Sequence, residues 1–234
     1  IRQENFPQVP TTKVWTSNEP SFTVPGAIEP SGATTELNVY NTNGVLSGFL
    51  TKNGQSMLRI SGEAYGVIDV QPFKDDTTTL NNWSRQGFGI SCTFKSDRHP
   101  FSNRTVFFIG DYNTDEQFSE GIKIGLEDIT WSYTDGNIKE TMSCKIQQDV
   151  INTVDFIVNK NPGKMVVAIF INGILSTARE IKNDFTWRTS SKIYLGCDIS
   201  NAGQIQNFAD VNFYDIKLFR VPANDKQIVI NAMN

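Results

Sequence analysis

Residues 164–181 constrain this chain most. Two apolar runs, 164–171 and 174–181, stand on either side of Asn172-Gly173. An Asn-Gly pair adopts the positive φ angles of a type I′ turn readily, and that turn joins antiparallel strands. The same rhythm recurs. Runs 36–40 and 45–50 flank Asn43-Gly44, and runs 129–133 and 137–144 flank Asp135-Gly136. Further strand-like runs fall at 57–60, 64–70, 87–94, 105–109, 121–125, 152–159, 192–197 and 210–220. In the last of these, apolar residues occupy both alternating sets, as in a strand covered on both faces. About a dozen short strands, roughly 8–15 residues apart, make an all-β sandwich or barrel. A helix is expected only at 225–233, where Asn224 can cap the first turn and Gln227 follows three residues on.

Residues 1–30 break the pattern. Pro7, Pro10, Pro20, Pro25 and Pro30 punctuate a polar stretch, which reads as an extended arm or edge segment ahead of one domain at 31–234. The first residue is Ile1 rather than Met, as expected of a fragment or processed product. Net charge is -4, with both signs in small clusters. That argues against nucleic acid, which needs a basic stripe, and against an anionic membrane surface. No apolar run approaches the ~18 residues of a membrane helix. Cys92, Cys144 and Cys197 are odd in number, far apart and set in strand-like surroundings. They read as small buried apolar residues rather than a disulfide framework.

The order of elements resembles a known family. The run Val166-Val167-Ala168-Ile169-Phe170-Ile171-Asn172-Gly173-Ile174 is similar to the central hairpin of laminin-G and concanavalin-A-like domains. Ile193-Tyr194-Leu195-Gly196-Cys197-Asp198 resembles the short strand that follows it. Residues 208–219 resemble the closing strand, and 43–64 resembles the opening of the modules found in phage and prophage tail and baseplate proteins. The resemblance covers about residues 36–234. It implies a two-sheet antiparallel jelly-roll sandwich with a short C-terminal helix. It implies membership of a virion, with other virion proteins as partners. It does not by itself imply a function.

Enzymatic signatures are missing. Jelly-roll glucanases set carboxylates at alternate positions of one strand, so that acid and nucleophile share a face. Glu127 and Asp128 are adjacent, and Glu63 and Asp69 lie six apart. The one histidine, His99, lies in a polar loop without a nucleophile elbow and reads as a solvated side chain. No catalytic residue is expected. Asp111, Asn113 and Asp115 place three oxygen donors at alternate positions, and calcium is the cation such a set would take. A solvated acidic turn is the simpler reading of the same residues.

Saccharides are held by aromatic rings under their apolar faces and by polar side chains around their rims. Trp83 between Asn82 and Arg85 is the best such group, with Trp131 and Tyr133 on one strand face and Trp187 in a later loop. Each ring has a core reading as well. The expected function is a carbohydrate-binding module of a phage tail or baseplate protein that contacts host cell-wall polysaccharide. The alternative is a structural virion module that assembles through the 1–30 arm into a homo-oligomer or onto a neighbour by sheet-edge addition.

Overall fold

The computed structural model describes residues 11–16, 34–40, 48–52, 55–69, 87–135, 138–161, 164–181 and 192–221. The first nine strands are β1 (Thr11–Thr16), β2 (Thr34–Tyr40), β3 (Gly48–Lys52), β4 (Gln55–Ile60), β5 (Tyr65–Asp69), β6 (Gly87–Ser96), β7 (Thr105–Tyr112), β8 (Phe118–Gly125) and β9 (Asp128–Asp135). The rest are β10 (Ile138–Lys145), β11 (Ile151–Asn161), β12 (Lys164–Ile171), β13 (Ile174–Ile181), β14 (Lys192–Leu195), β15 (Asp198–Ile199), β16 (Ile205–Gln206) and β17 (Val211–Val221). They form an eight-stranded sheet, β1-β2-β5-β14-β7-β8-β9-β10, and a seven-stranded sheet, β13-β12-β11-β6-β17-β4-β3. The small hairpin β15-β16 stands apart. All pairings are antiparallel. This is the all-β, two-sheet jelly-roll sandwich. The expected helix at 225–233 lies outside the described residues, as does the 1–30 segment except for β1, which pairs with β2 along the sheet edge.

The sandwich closes because alternate residues of both sheets turn inward, where burial of apolar surface stabilises by about 25 cal/mol per Å². Phe94, Phe107, Trp131, Tyr133, Phe156 and Phe213 fill the space between the sheets, with Phe94 and Phe213 tilted rings 6.4 Å apart. A second cluster covers the other face of the eight-stranded sheet. There Phe108, Tyr194 and Cys197 are buried, with Tyr65, Tyr112, Phe118, Ile199, Ile205 and Phe208 packed on them. Strand β7 therefore runs buried on both faces, Phe107 toward the main core and Phe108 toward the second. Cys92, Cys144 and Cys197 are free thiols, two of them buried.

Local signals held where the turn was the whole story. Asn172 and Gly173 take φ of 52° and 78°, and Ile171 pairs with Ile174. Asp135 pairs with Ile138 across the β9-β10 turn. The Asn43-Gly44 hairpin is corrected. β2 belongs to the eight-stranded sheet and β3 to the seven-stranded one, so the chain crosses between sheets there. The mixed pattern of 210–220 is corrected too. A register shift between Phe213 and Asp215 resets the alternation. Val211 and Phe213 face inward before it and Ile216 after it, so a bulge rather than double coverage produces the pattern.

Candidate functional site

Of the residues expected to hold a saccharide, Trp131 and Tyr133 fall within the described residues. Asn82, Trp83, Arg85 and Trp187 lie outside the described residues. Trp131 and Tyr133 are core side chains, 0% and 1% exposed. Their strand β9 is flanked by β8 and β10, and Trp131 stands opposite Ile122 and Met142 on the inner face. Alternation in a half-buried strand turns the larger rings inward, so this pair offers no surface to a ligand. In the 111–116 loop, Asn113 Oδ1 accepts the N–H groups of Asp115 at 3.0 Å and Gln117 at 2.9 Å. That oxygen closes the β7-β8 turn. Glu116, in the left-handed region at φ 56°, accepts the Asn201 N–H. Among the described residues no group of three or more His, Cys, Asp or Glu side chains could hold a metal ion.

A different region has the character of a site. The loop 97–104 carries the chain from β6 in one sheet to β7 in the other, and 207–210 leads from β16 into β17. These two loops meet at one end of the sandwich and enclose an open cleft of about 530 Å³, lined by residues 100–104 with Asn207 and Phe208. Phe101 is 63% exposed, and its ring lies 5.4 Å from the His99 ring, tilted at 45°. Backbone hydrogen bonds pin the walls: Thr105 N–H to the Asn207 carbonyl at 2.8 Å and Asp97 N–H to the Asp210 carbonyl at 2.9 Å.

Side chains then fix the rim. Arg104 Nη1 donates to the Phe208 carbonyl at 2.6 Å, and Nη2 lies 3.3 Å from His99 Nε2. The His99 N–H donates to Gln148 Oε1, and Gln148 in turn donates to Glu127. His99 is therefore a pinned, half-buried brace rather than the solvated loop side chain expected from sequence. Asn103 Nδ2 donates to Asn207 Oδ1 at 3.4 Å.

Beneath the cleft lies a buried charge. Asp198 is 0% exposed and accepts hydrogen bonds from Thr105 Oγ1 at 2.6 Å, Tyr112 Oη at 2.9 Å and Asn207 Nδ2 at 3.0 and 3.1 Å. Lys123 Nζ lies 3.0 Å away and completes an ion pair. A buried carboxylate needs such partners to offset its lost hydration. Burial, reinforced by the Asp198 charge, pushes the Tyr112 hydroxyl far up, so it stays a donor. Burial first, then the same charge, pushes up the neighbouring Cys197 thiol and keeps it unreactive.

Sequence reasoning missed Phe101, Asn103, Arg104, Asn207 and Phe208. A signal was present in Pro100-Phe101-Ser102-Asn103-Arg104, a large ring stranded in a polar loop.

The jelly-roll sandwich carries a polar, aromatic-edged cleft at one end. No protein-family model matches this chain, and no curated protein sequence matches it. Solved structures do. The chain is similar to the binding domain of botulinum neurotoxin serotype D/C VPI 5993, with a TM-score of 0.53 and 18% identity over 88% of this chain and 49% of that one. It is similar to the binding domain of botulinum neurotoxin DC in complex with rat synaptotagmin II, with a TM-score of 0.52 and 17% identity over 87% and 47%. A structure of the botulinum neurotoxin DC binding domain in complex with SialylT gives 0.52 and 15% over 88% and 48%. The chain spans about half the length of these neurotoxin chains. At this identity the likeness shows the fold.

Proposed function

We propose that this chain is a non-catalytic carbohydrate-binding module of a phage tail or baseplate protein, and that it holds host cell-wall polysaccharide in the Phe101 cleft. The observation that carries the reading is the cleft itself. An exposed ring stands at a rim of amide and guanidinium groups whose positions are fixed by the protein. A pyranose can lay its apolar face on Phe101 and spread its hydroxyls over Asn103, Arg104 and Asn207. Support also comes from the jelly-roll fold and from a structural neighbour solved with SialylT. The virion context rests on the resemblance of residues 36–234 to phage modules.

The test is binding of fluorescently labelled protein to isolated wall polysaccharides from a panel of bacteria. Saturable binding competed by free polysaccharide is expected. Phe101→Ala should weaken it about 5- to 30-fold, the equivalent of about 1–2 kcal/mol of ring contact. A Phe101→Ala protein that binds as tightly as wild type would remove the cleft from the mechanism. Failure to bind any polysaccharide would favour the second reading, a module that assembles the particle. That reading has one observation of its own, β1 lying along an edge of the eight-stranded sheet, where a further strand can add.

A further inference from the structure

A mismatch at the edge of the cleft, where His99 meets the lining residue Arg104, points to the charge of its ligand. His99 Nδ1 accepts the Phe101 N–H at 3.1 Å. A neutral imidazole has one acceptor nitrogen and one donor nitrogen, so Nε2 carries the proton. That Nε2 faces Arg104 Nη2 at 3.3 Å, and Nη2 is also a donor. Exchanging the tautomer only moves the conflict to the Phe101 N–H. Two N–H groups therefore stand side by side at a half-buried rim, and no acceptor among the described residues takes the imidazole proton.

The local charge agrees. Arg104 makes no ion pair among the described residues, and no acidic side chain lines the cleft, in a chain of net charge -4. The carboxylates of the adjoining loops are committed elsewhere. Asp97 pairs with Arg59 at 2.7 Å, Asp198 with Lys123, and Asp210 accepts from Ser61 Oγ and the Gly62 N–H. The Arg104–Phe208 bond sets the guanidinium before anything binds. The two oxygens of one oxyanion can accept from Nη2 and Nε2 together, which removes the conflict and neutralises the charge.

We infer that the Phe101 cleft selects an anionic saccharide, whose oxyanion bridges Arg104 and His99 while its ring lies on Phe101. This rests on the carbohydrate-binding reading and names its ligand class. A ring carboxylate, as in a uronic acid, and a phosphodiester, as in a sugar- or polyol-phosphate polymer, offer the same pair of oxygens.

The test is titration calorimetry of the whole chain with four probes: a tetragalacturonate, its full methyl ester, a neutral galactose oligomer and a glycerol-phosphate oligomer. The acid should bind about 10- to 100-fold more tightly than its ester, the worth of one charge-assisted contact, with the preference shrinking at high salt. Arg104→Gln should abolish that preference by weakening the acid far more than the ester, and Arg104→Lys should restore part of it. Circular dichroism checks that the variants fold. If Arg104→Gln does not fold, the wild-type comparison of acid with ester decides alone. Binding of the glycerol-phosphate oligomer in place of the uronate supports the oxyanion site and assigns phosphate as the source. Equal binding of acid and ester, or a preference for the neutral oligomer, overturns the anionic inference and leaves the saccharide reading standing. No binding of any probe, together with no binding to wall polysaccharides, overturns both.

Discussion

Asp198→Asn is the sharpest probe of the network beneath the cleft. The carboxylate accepts from Thr105, Tyr112 and Asn207 and pairs with Lys123. An amide keeps one acceptor oxygen. Its NH2 must then point either at Asn207 Nδ2, a donor, or at the cluster of Thr105, Tyr112 and Lys123, where the hydroxyls would have to turn from donors into acceptors and the ammonium cannot accept. The lost charge also leaves the Lys123 ammonium without its partner. Removing one member of a buried pair costs about 3–5 kcal/mol. Lys123 is 23% exposed and can regain some water, so the lower end applies, about 3 kcal/mol. In a domain of this size 1 kcal/mol moves the Tm by about 2–4 °C, so a fall of about 6–12 °C is expected. The assay is thermal unfolding followed by circular dichroism, with urea unfolding as a check. Lys123→Met added to Asp198→Asn should recover part of the loss, because the orphaned ammonium is gone. A single variant within about 2 °C of wild type would show that Asp198 does not hold this network together.

Three further outcomes are expected. Burial raises the Asp155 carboxyl to about 6, and Oδ2 makes no hydrogen bond while Oδ1 accepts from Ser91. The folded state thus holds this proton more tightly than the unfolded chain, whose carboxyl titrates near 3.9. Stability should fall as pH rises from about 4 to about 6, and Asp155→Asn should flatten that slope in urea midpoints and stabilise the protein at pH 7 by about 1–2 kcal/mol. In β7, a Cβ at Gly110 would lie 2.0 Å from the Glu120 carbonyl oxygen, opposite Gly121 at φ 114°. Gly110→Ala should cost at least about 3 kcal/mol or prevent folding, and a denaturant midpoint near wild type would contradict that. Because Asn113 Oδ1 is already used by two N–H groups, EDTA should change neither the Tm nor polysaccharide binding. A Tm that rises several degrees with added calcium would restore the 111–115 loop as a cation site.

The sandwich was legible because strand alternation and turn chemistry are local properties. The limit of local reasoning shows in two copies of one dipeptide. Asn172-Gly173 joins neighbours in one sheet, whereas the strands around Asn43-Gly44 part into different sheets. A turn signal says that the chain can reverse. Which sheet the next strand joins is decided by its partners, here β4 for β3 and β1 and β5 for β2. The bulge in β17 was equally hidden, because one inserted residue exchanges the faces and leaves only a blurred alternation.

The site was less legible, for a reason its geometry makes plain. Its polar contacts join residues distant in sequence: Thr105 to Asp198, 93 positions apart, and Arg104 to Phe208, 104 apart. No spacing rule finds such pairs in one sequence. Rings in strands drew attention, yet a strand ring serves the core, as Trp131 and Tyr133 do. Rings in crossing loops are better candidates, since a jelly roll gathers those loops at its ends. The same arrangement explains how a shallow cleft could hold a flexible ligand. Asp198 takes both Nδ2 contacts of Asn207, so the Asn207 carbonyl oxygen is turned to Asn103 at the rim. Asn207 sits at φ 56°, a conformation Asn tolerates better than most residues, which lets its backbone carbonyl reach Thr105 as well. The rim is ordered by the buried ion pair before a ligand arrives, so binding spends little on immobilising it. It follows that Asp198→Asn should weaken saccharide binding even where the protein stays folded, while Asp155→Asn, in β11 of the seven-stranded sheet, should leave binding untouched.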